Sequence, residues 1–130
     1  MKKLIIPVLV CLFSFGSINA NNVKNLKVEN EVIERVTYDI SSFCKLIQKG
    51  NFEAVKSLIE SGEDVNKKSK GLTPLMFAAR HNKAKIAKLL IKHGAKLKTK
   101  SDKGRMTALD MAKRFKAKDA MSVIKSALKS

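Results

Sequence analysis

Between Gly71 and Gly94 the chain reads G-L-T-P-L-M-F-A-A-R-H-N-K-A-K-I-A-K-L-L-I-K-H-G. This stretch constrains the fold most, because it marks both ends of two consecutive helices. Thr73 is placed to accept a backbone N–H of a first helical turn, and Pro74 then stands at the first helical position, where its missing N–H costs nothing. Leu75, Phe77, Ala78 and Ala79 give this helix an apolar side with two small residues, which allows another backbone to come close. It is predicted to run to about Arg80. Asn82 suits the left-handed turn of a two-helix hairpin, and helical spacing resumes from Lys83. Ile86, Leu89 and Leu90 then line one face, Lys85, Lys88 and Lys92 line the opposite one, and Gly94 ends the helix without steric cost.

The same plan appears on either side. Before it, F-C-K-L-I-Q-K-G-N-F-E-A-V-K-S-L-I-E-S-G-E-D-V-N aligns at an offset of 32, with Gly62 over Gly94, Leu46 and Ile47 over Ala78 and Ala79, and Val55, Leu58 and Ile59 over Ala87, Leu90 and Ile91. After it, Thr107 lies 34 residues beyond Thr73, which implies an insertion in the preceding loop, assigned to Met106. Thr107 and Asp110 have capping-box spacing. Ala120, Val123, Ile124 and Leu128 are expected to face inward, and Lys118, Lys125 and Lys129 to reach water.

The middle unit resembles the ankyrin repeat, whose pattern is G-x-T-P-L-H-x-A-A, a turn, I-V-x-x-L-L and G-A-D-V-N. Gly71, Thr73, Pro74, Leu75, Ala78, Ala79, Ile86, Leu90, Gly94 and Ala95 stand at the matching letters, and Asp64, Val65 and Asn66 supply the D-V-N ending in the first unit. Met76 replaces the family's His, so a looser joint between neighbouring loops is expected. The resemblance implies an all-α solenoid of three helix-turn-helix repeats with projecting loops, at about 41–69, 70–102 and 103–128. The first lacks T-P-L, as suits an N-terminal cap whose outer side meets water.

The beginning of the chain has a different character. Lys2 and Lys3, an apolar run from Leu4 to Phe13, and the small and polar residues ending at Ala20 resemble a cleavable bacterial signal peptide. The run is shorter than the roughly 18–20 residues that span a bilayer. Cleavage after Ala20 is expected, giving a periplasmic or secreted protein with no transmembrane segment. Residues 21–40 are read as an extension, flexible at first, with a short helix from Glu31 to Tyr38 that shields the first repeat. Cleavage would also remove Cys11 and leave Cys44 without a disulfide partner. Its plain reading is a small apolar residue on a half-buried helix.

Catalytic motifs are missing. No H-E-x-x-H, G-x-S-x-G or phosphate-loop pattern occurs, and the histidines are His81 and His93. Cys44 and His81 would lie on adjacent first helices, five positions out of step, too far apart to act together. We therefore expect no catalysis, no metal and no cofactor.

Charge is the informative feature. The chain has 27 Lys and Arg against 11 Asp and Glu, a net charge of +16. Residues 21–60 balance, whereas residues 61–130 hold nineteen basic and five acidic groups. Such an excess attracts anionic partners through its summed field. The helix lysines Lys85, Lys88 and Lys92 read most simply as a solvated face. In the ankyrin family the loops between repeats and the exposed side of the first helices form the binding surface. By position, the resemblance assigns that surface to Lys68, Lys70, Leu72, Arg80, His81, Lys100, Lys103, Arg105 and Arg114. The expected function is an exported, monomeric module that binds an acidic protein. The alternatives are a non-protein polyanion or anionic surface, and a secreted effector acting in a host cell. Four arginines and the lone Tyr38 argue against base-specific reading of nucleic acid.

Overall fold

The computed structural model describes residues 40–130. The signal-peptide assignment and nearly all of the 21–40 extension lie outside them. Six helices follow one another: α1 (Ser42–Lys49), α2 (Phe52–Glu60), α3 (Pro74–Arg80), α4 (Ala84–Lys92), α5 (Ala108–Arg114) and α6 (Lys118–Lys129). Each consecutive pair forms an antiparallel hairpin. The first helices pack in the order α1, α3, α5 and the second helices in the order α2, α4, α6, so the array has two layers.

The hairpins share one construction. The N–H groups of Asn51, Lys83 and Ala117 donate to the carbonyls of Leu46, Ala78 and Ala112 at 3.0, 2.8 and 2.8 Å. Each turn also needs one left-handed residue, supplied by Gly50 (φ 74°), Asn82 (φ 52°) and Lys116 (φ 54°). Gly pays no steric cost there and Asn a small one, whereas Lys is strained. Side-chain caps start the first helices. Ser41 accepts from Cys44, Thr73 from Met76 and Thr107 from Asp110. Asp110 completes its capping box by accepting from Thr107 N–H at 3.0 Å. In the middle repeat that reciprocal role falls to the Met76 sulfur, a weak acceptor, at 3.4 Å from Thr73 N.

The core lies between the layers and continues through all three units. Leu90 and Ile124, at equivalent positions of α4 and α6, are fully buried, as are Val55, Cys44, Ile47, Ala78, Ala87 and Ala112. Helix α3 is buried over Pro74–Ala79, including Met76 at 1% exposure and Phe77 at 2%. The cause is its place in the stack: α1 and α5 flank it while α4 lies behind. Each of the larger side chains here contributes about 1.5–3 kcal/mol of burial. Small Ala78 and Ala112 at the hairpin contacts let the backbones approach.

Two inward assignments are corrected. Leu128 is 37% exposed and Val123 only partly buried, because Val123 lies on the floor of an open groove between α4 and α6 and Leu128 borders another past the end of α6. The assigned insertion moves as well. Ser69 pairs with Leu72 across a two-residue turn, whereas Ser101 pairs with Met106 across four residues, Asp102 to Arg105. Met106 is thus the counterpart of Leu72, and the two extra residues enlarge the loop tip. Buried Ser101 closes the wider loop: its hydroxyl donates to Lys103 O at 2.7 Å and accepts from Met106 N–H at 3.0 Å.

Candidate binding surface

Two finger-like loops precede the N-caps Thr73 and Thr107. Lys68, Lys70 and Leu72 are on the first, and Lys100, Lys103 and Arg105 on the second. The fingers are joined. Asp102 N–H donates to Gly71 O at 3.0 Å, and Lys68 Nζ meets Asp102 Oδ1 at 2.6 Å. Gly71 is required at this joint, because its φ is 75° and a Cβ there would come within 3.0 Å of Asp102 Cβ. Asn66 makes a second tie at the base of the fingers: its amide donates to Gly94 O at 3.1 Å and accepts from Lys96 N–H at 2.8 Å. Asn82 links the middle hairpin to α6 by accepting from Ala120 N–H at 3.0 Å and donating to Asp119 at 3.3 Å. These bonds tie neighbouring repeats where Met76 cannot.

Of the nine residues assigned to the surface, only Lys68 makes an ion pair among the described residues. Its ammonium is therefore paired within the chain, in an ion pair that stays open to water. Lys70, Lys100, Lys103 and Arg105 are exposed, whereas Leu72 is half-buried and packs against the core. Lys70 (φ 49°) and Arg105 (φ 50°) occupy left-handed turn positions that project them from the finger tips. Lys100 lies close enough to Asp110 to help lower its carboxyl, although the hydrogen bonds from Thr107 are the main cause.

Arg80, His81 and Arg114 come at the other ends of α3 and α5, roughly 10 Å from the N-caps at 1.5 Å per residue. Arg114 nevertheless reaches back, placing Nη1 3.7 Å from the Met106 sulfur of the second finger, as helical side chains lean toward their N-terminus. Arg80 stays at the far end, its guanidinium 4.8 Å from the ring centroid of Phe115. His81 is exposed, and partial burial with the nearby charges of Arg80 and Lys83 holds its pKa below the usual value. The assigned surface is thus a strip, with a cationic cluster at the fingers and an Arg80–Phe115 pair at its far end. Phe115, 43% exposed, and Asp102 were missed in the sequence. Phe115 is 34 residues after His81, so the repeat register itself carried that signal.

Cys44 is fully buried, and burial is the main cause raising its thiol pKa, the opposite of what a thiolate nucleophile needs. Among the described residues no three His, Cys, Asp or Glu side chains gather as a metal site requires. No helix among them is long and apolar enough to cross a membrane.

Comparison with known proteins agrees with the architecture. The sequence model described as Ankyrin repeats (3 copies) matches residues 43–127. A Rickettsia felis protein named as an ankyrin repeat protein is 33% identical over 95 residues, 68% of this chain and 36% of its own length. One from Rickettsia bellii is 33% identical over 89 residues, covering 63% and 52%. The vaccinia virus ankyrin repeat protein is 31% identical over 102 residues, covering 69% and 32%. This chain therefore spans between about a third and a half of these relatives. Three stacked helix hairpins with joined fingers, matched by a family model over residues 43–127, make this chain a member of the ankyrin-repeat family.

Proposed function

We propose that the chain is an exported binding module that holds an acidic protein partner against its fingers and first helices. Ankyrin repeats generally mediate protein–protein interaction, and the cationic chemistry of the surface supports reading the partner as acidic. The observation that carries the reading is the grouping of exposed Lys70, Lys100, Lys103, Arg105 and Arg114 around the joined fingers, where among the described residues only Lys68 is held in an ion pair. Arg105 and Arg114 offer planar forks suited to carboxylates. Arg80 stacked beside half-exposed Phe115 adds an apolar and cationic contact at the other end of the strip.

The test is a triple reversal, Lys70→Glu, Lys103→Glu and Arg105→Glu. Lys68 is left intact because its reversal would also disturb the Asp102 joint. Binding to the natural partner, identified by crosslinking in the native compartment, is expected to fall at least tenfold while the unfolding midpoint stays near that of the parent. Unchanged binding would refute the finger surface. The export half of the proposal rests on the signal-like residues 1–20, and mass spectrometry of protein from its native host should find Asn21 at the N-terminus. An intact Met1 on membrane-embedded material would refute it.

A further inference from the structure

We infer that the outward side of α4 and α6 is a docking surface for an anionic lipid membrane, distinct from the fingers. Lys85, Lys88 and Lys92 form an exposed row along α4, about 10 Å long at 1.5 Å per residue. None of them makes an ion pair among the described residues. Lys118, Lys125 and Lys129 are exposed on α6. Against these six cations the two helices carry one carboxylate, Asp119, and it accepts a hydrogen bond from Asn82. Helix α2 has Glu53 and Glu60 beside Lys56, so the positive field is concentrated over α4 and α6.

The surface between these charges is apolar and open. A groove of about 310 Å³ on the α2 side of the row is floored by Phe52 and Leu89. One of about 290 Å³ on the α6 side is floored by Ile91, Val123 and Ala127, and Lys88 borders both. Past the end of α6 a third groove includes exposed Leu128 with Lys96 and Lys98 at its rim. Half-exposed apolar side chains set among long lysines are suited to shallow burial at a lipid interface, where aliphatic stems lie on apolar surface while the ammonium groups reach phosphates.

The distribution of cation types favours a membrane over a protein or a nucleic acid. All three arginines among the described residues, Arg80, Arg105 and Arg114, lie on the fingers or the ends of the first helices. The outer helices have lysine only, and Phe52 is their sole aromatic. Bidentate forks, which fixed carboxylates call for, are thus absent where the lysine row lies, and a single half-buried ring, Phe52, is too few for the successive stacking that bases call for. Flexible point charges match the diffuse potential of anionic lipid, and each contributes about fivefold to binding near such a surface.

The experiment is co-sedimentation of the full chain with phosphatidylcholine vesicles, with and without phosphatidylglycerol, at physiological salt. The parent is expected to sediment only with the anionic vesicles. Lys85→Glu, Lys88→Glu and Lys92→Glu together should weaken this by roughly 100-fold or more, following the fivefold share per lysine. The corresponding Gln triple, which keeps good helix formers, should weaken it roughly 100-fold. Lys70→Glu, Lys103→Glu and Arg105→Glu change the net charge equally and should leave sedimentation within severalfold of the parent. Equal loss in the two Glu triples would reduce the effect to net charge and overturn the proposal. Equal sedimentation with pure phosphatidylcholine would assign it to the apolar run Leu4–Phe13 and do the same. Duplex DNA binding that needs the α4 lysines, with no vesicle binding, would also overturn it. The finger reading is independent, since partner binding is read on the other triple.

Discussion

Replacing Leu90 by Ala tests the repeat register at its centre. Leu90 is 0% exposed and sits in the middle helix of the outer layer, which packs against α2, α3 and α6. Truncation removes three carbons from a site with neighbours on three sides, so little collapse can fill the space. Lost transfer energy and the residual cavity together should cost about 3–4 kcal/mol, within the usual range for buried Leu→Ala. The control is Leu128→Ala, at a position 37% exposed at the end of the array. With 37% of the residue already in water and little cavity left behind, its cost should be about 1–2 kcal/mol. Urea unfolding followed by circular dichroism reads both as midpoint shifts at constant slope. A Leu90→Ala loss below about 1 kcal/mol, or equal losses at the two sites, would refute the continuous core. A marked change in slope would instead show that the three repeats do not unfold together.

Lys116→Gly should stabilise the protein by about 1 kcal/mol, because Lys116 holds φ 54° where the first hairpin has Gly50; an unchanged midpoint would mean that the turn is not strained. Gly71→Ala should destabilise it by at least about 1 kcal/mol, since both the positive φ and the approach of Asp102 oppose a Cβ. The Lys68–Asp102 pair is largely open to water, so a double-mutant cycle should give a coupling of at most about 1 kcal/mol. Asp110 has a lowered carboxyl pKa through its bonds from Thr107. Its stabilisation is therefore full above the unfolded value near 3.8 and is lost as pH falls through the lower folded value. Asp110→Asn should flatten the acid side of the stability curve, which thermal melts at stepped pH would reveal.

Hairpin positions, caps and most inward residues could be read in the sequence because they depend on neighbours three or four residues away. Thr73 and Thr107 as N-caps, Asn82 as the turn residue, and Ile86 and Leu90 as the inward stripe all follow from local sterics and helical spacing. The equivalence of Leu58, Leu90 and Ile124 was likewise contained in the offsets of 32 and 34. Tertiary structure decided whatever depended on what lies across a repeat boundary. Met76 is buried because α1 and α5 enclose α3, while Leu128 is exposed because no element among the described residues packs over it at the end of α6; periodicity along one helix carries neither fact. Lys68 resembles the other finger lysines in sequence, yet only the approach of the second finger brings Asp102 to it. The surface residues were nameable by position, but their division into a finger cluster and an Arg80–Phe115 end was not, since helix length and side-chain direction in space set those distances.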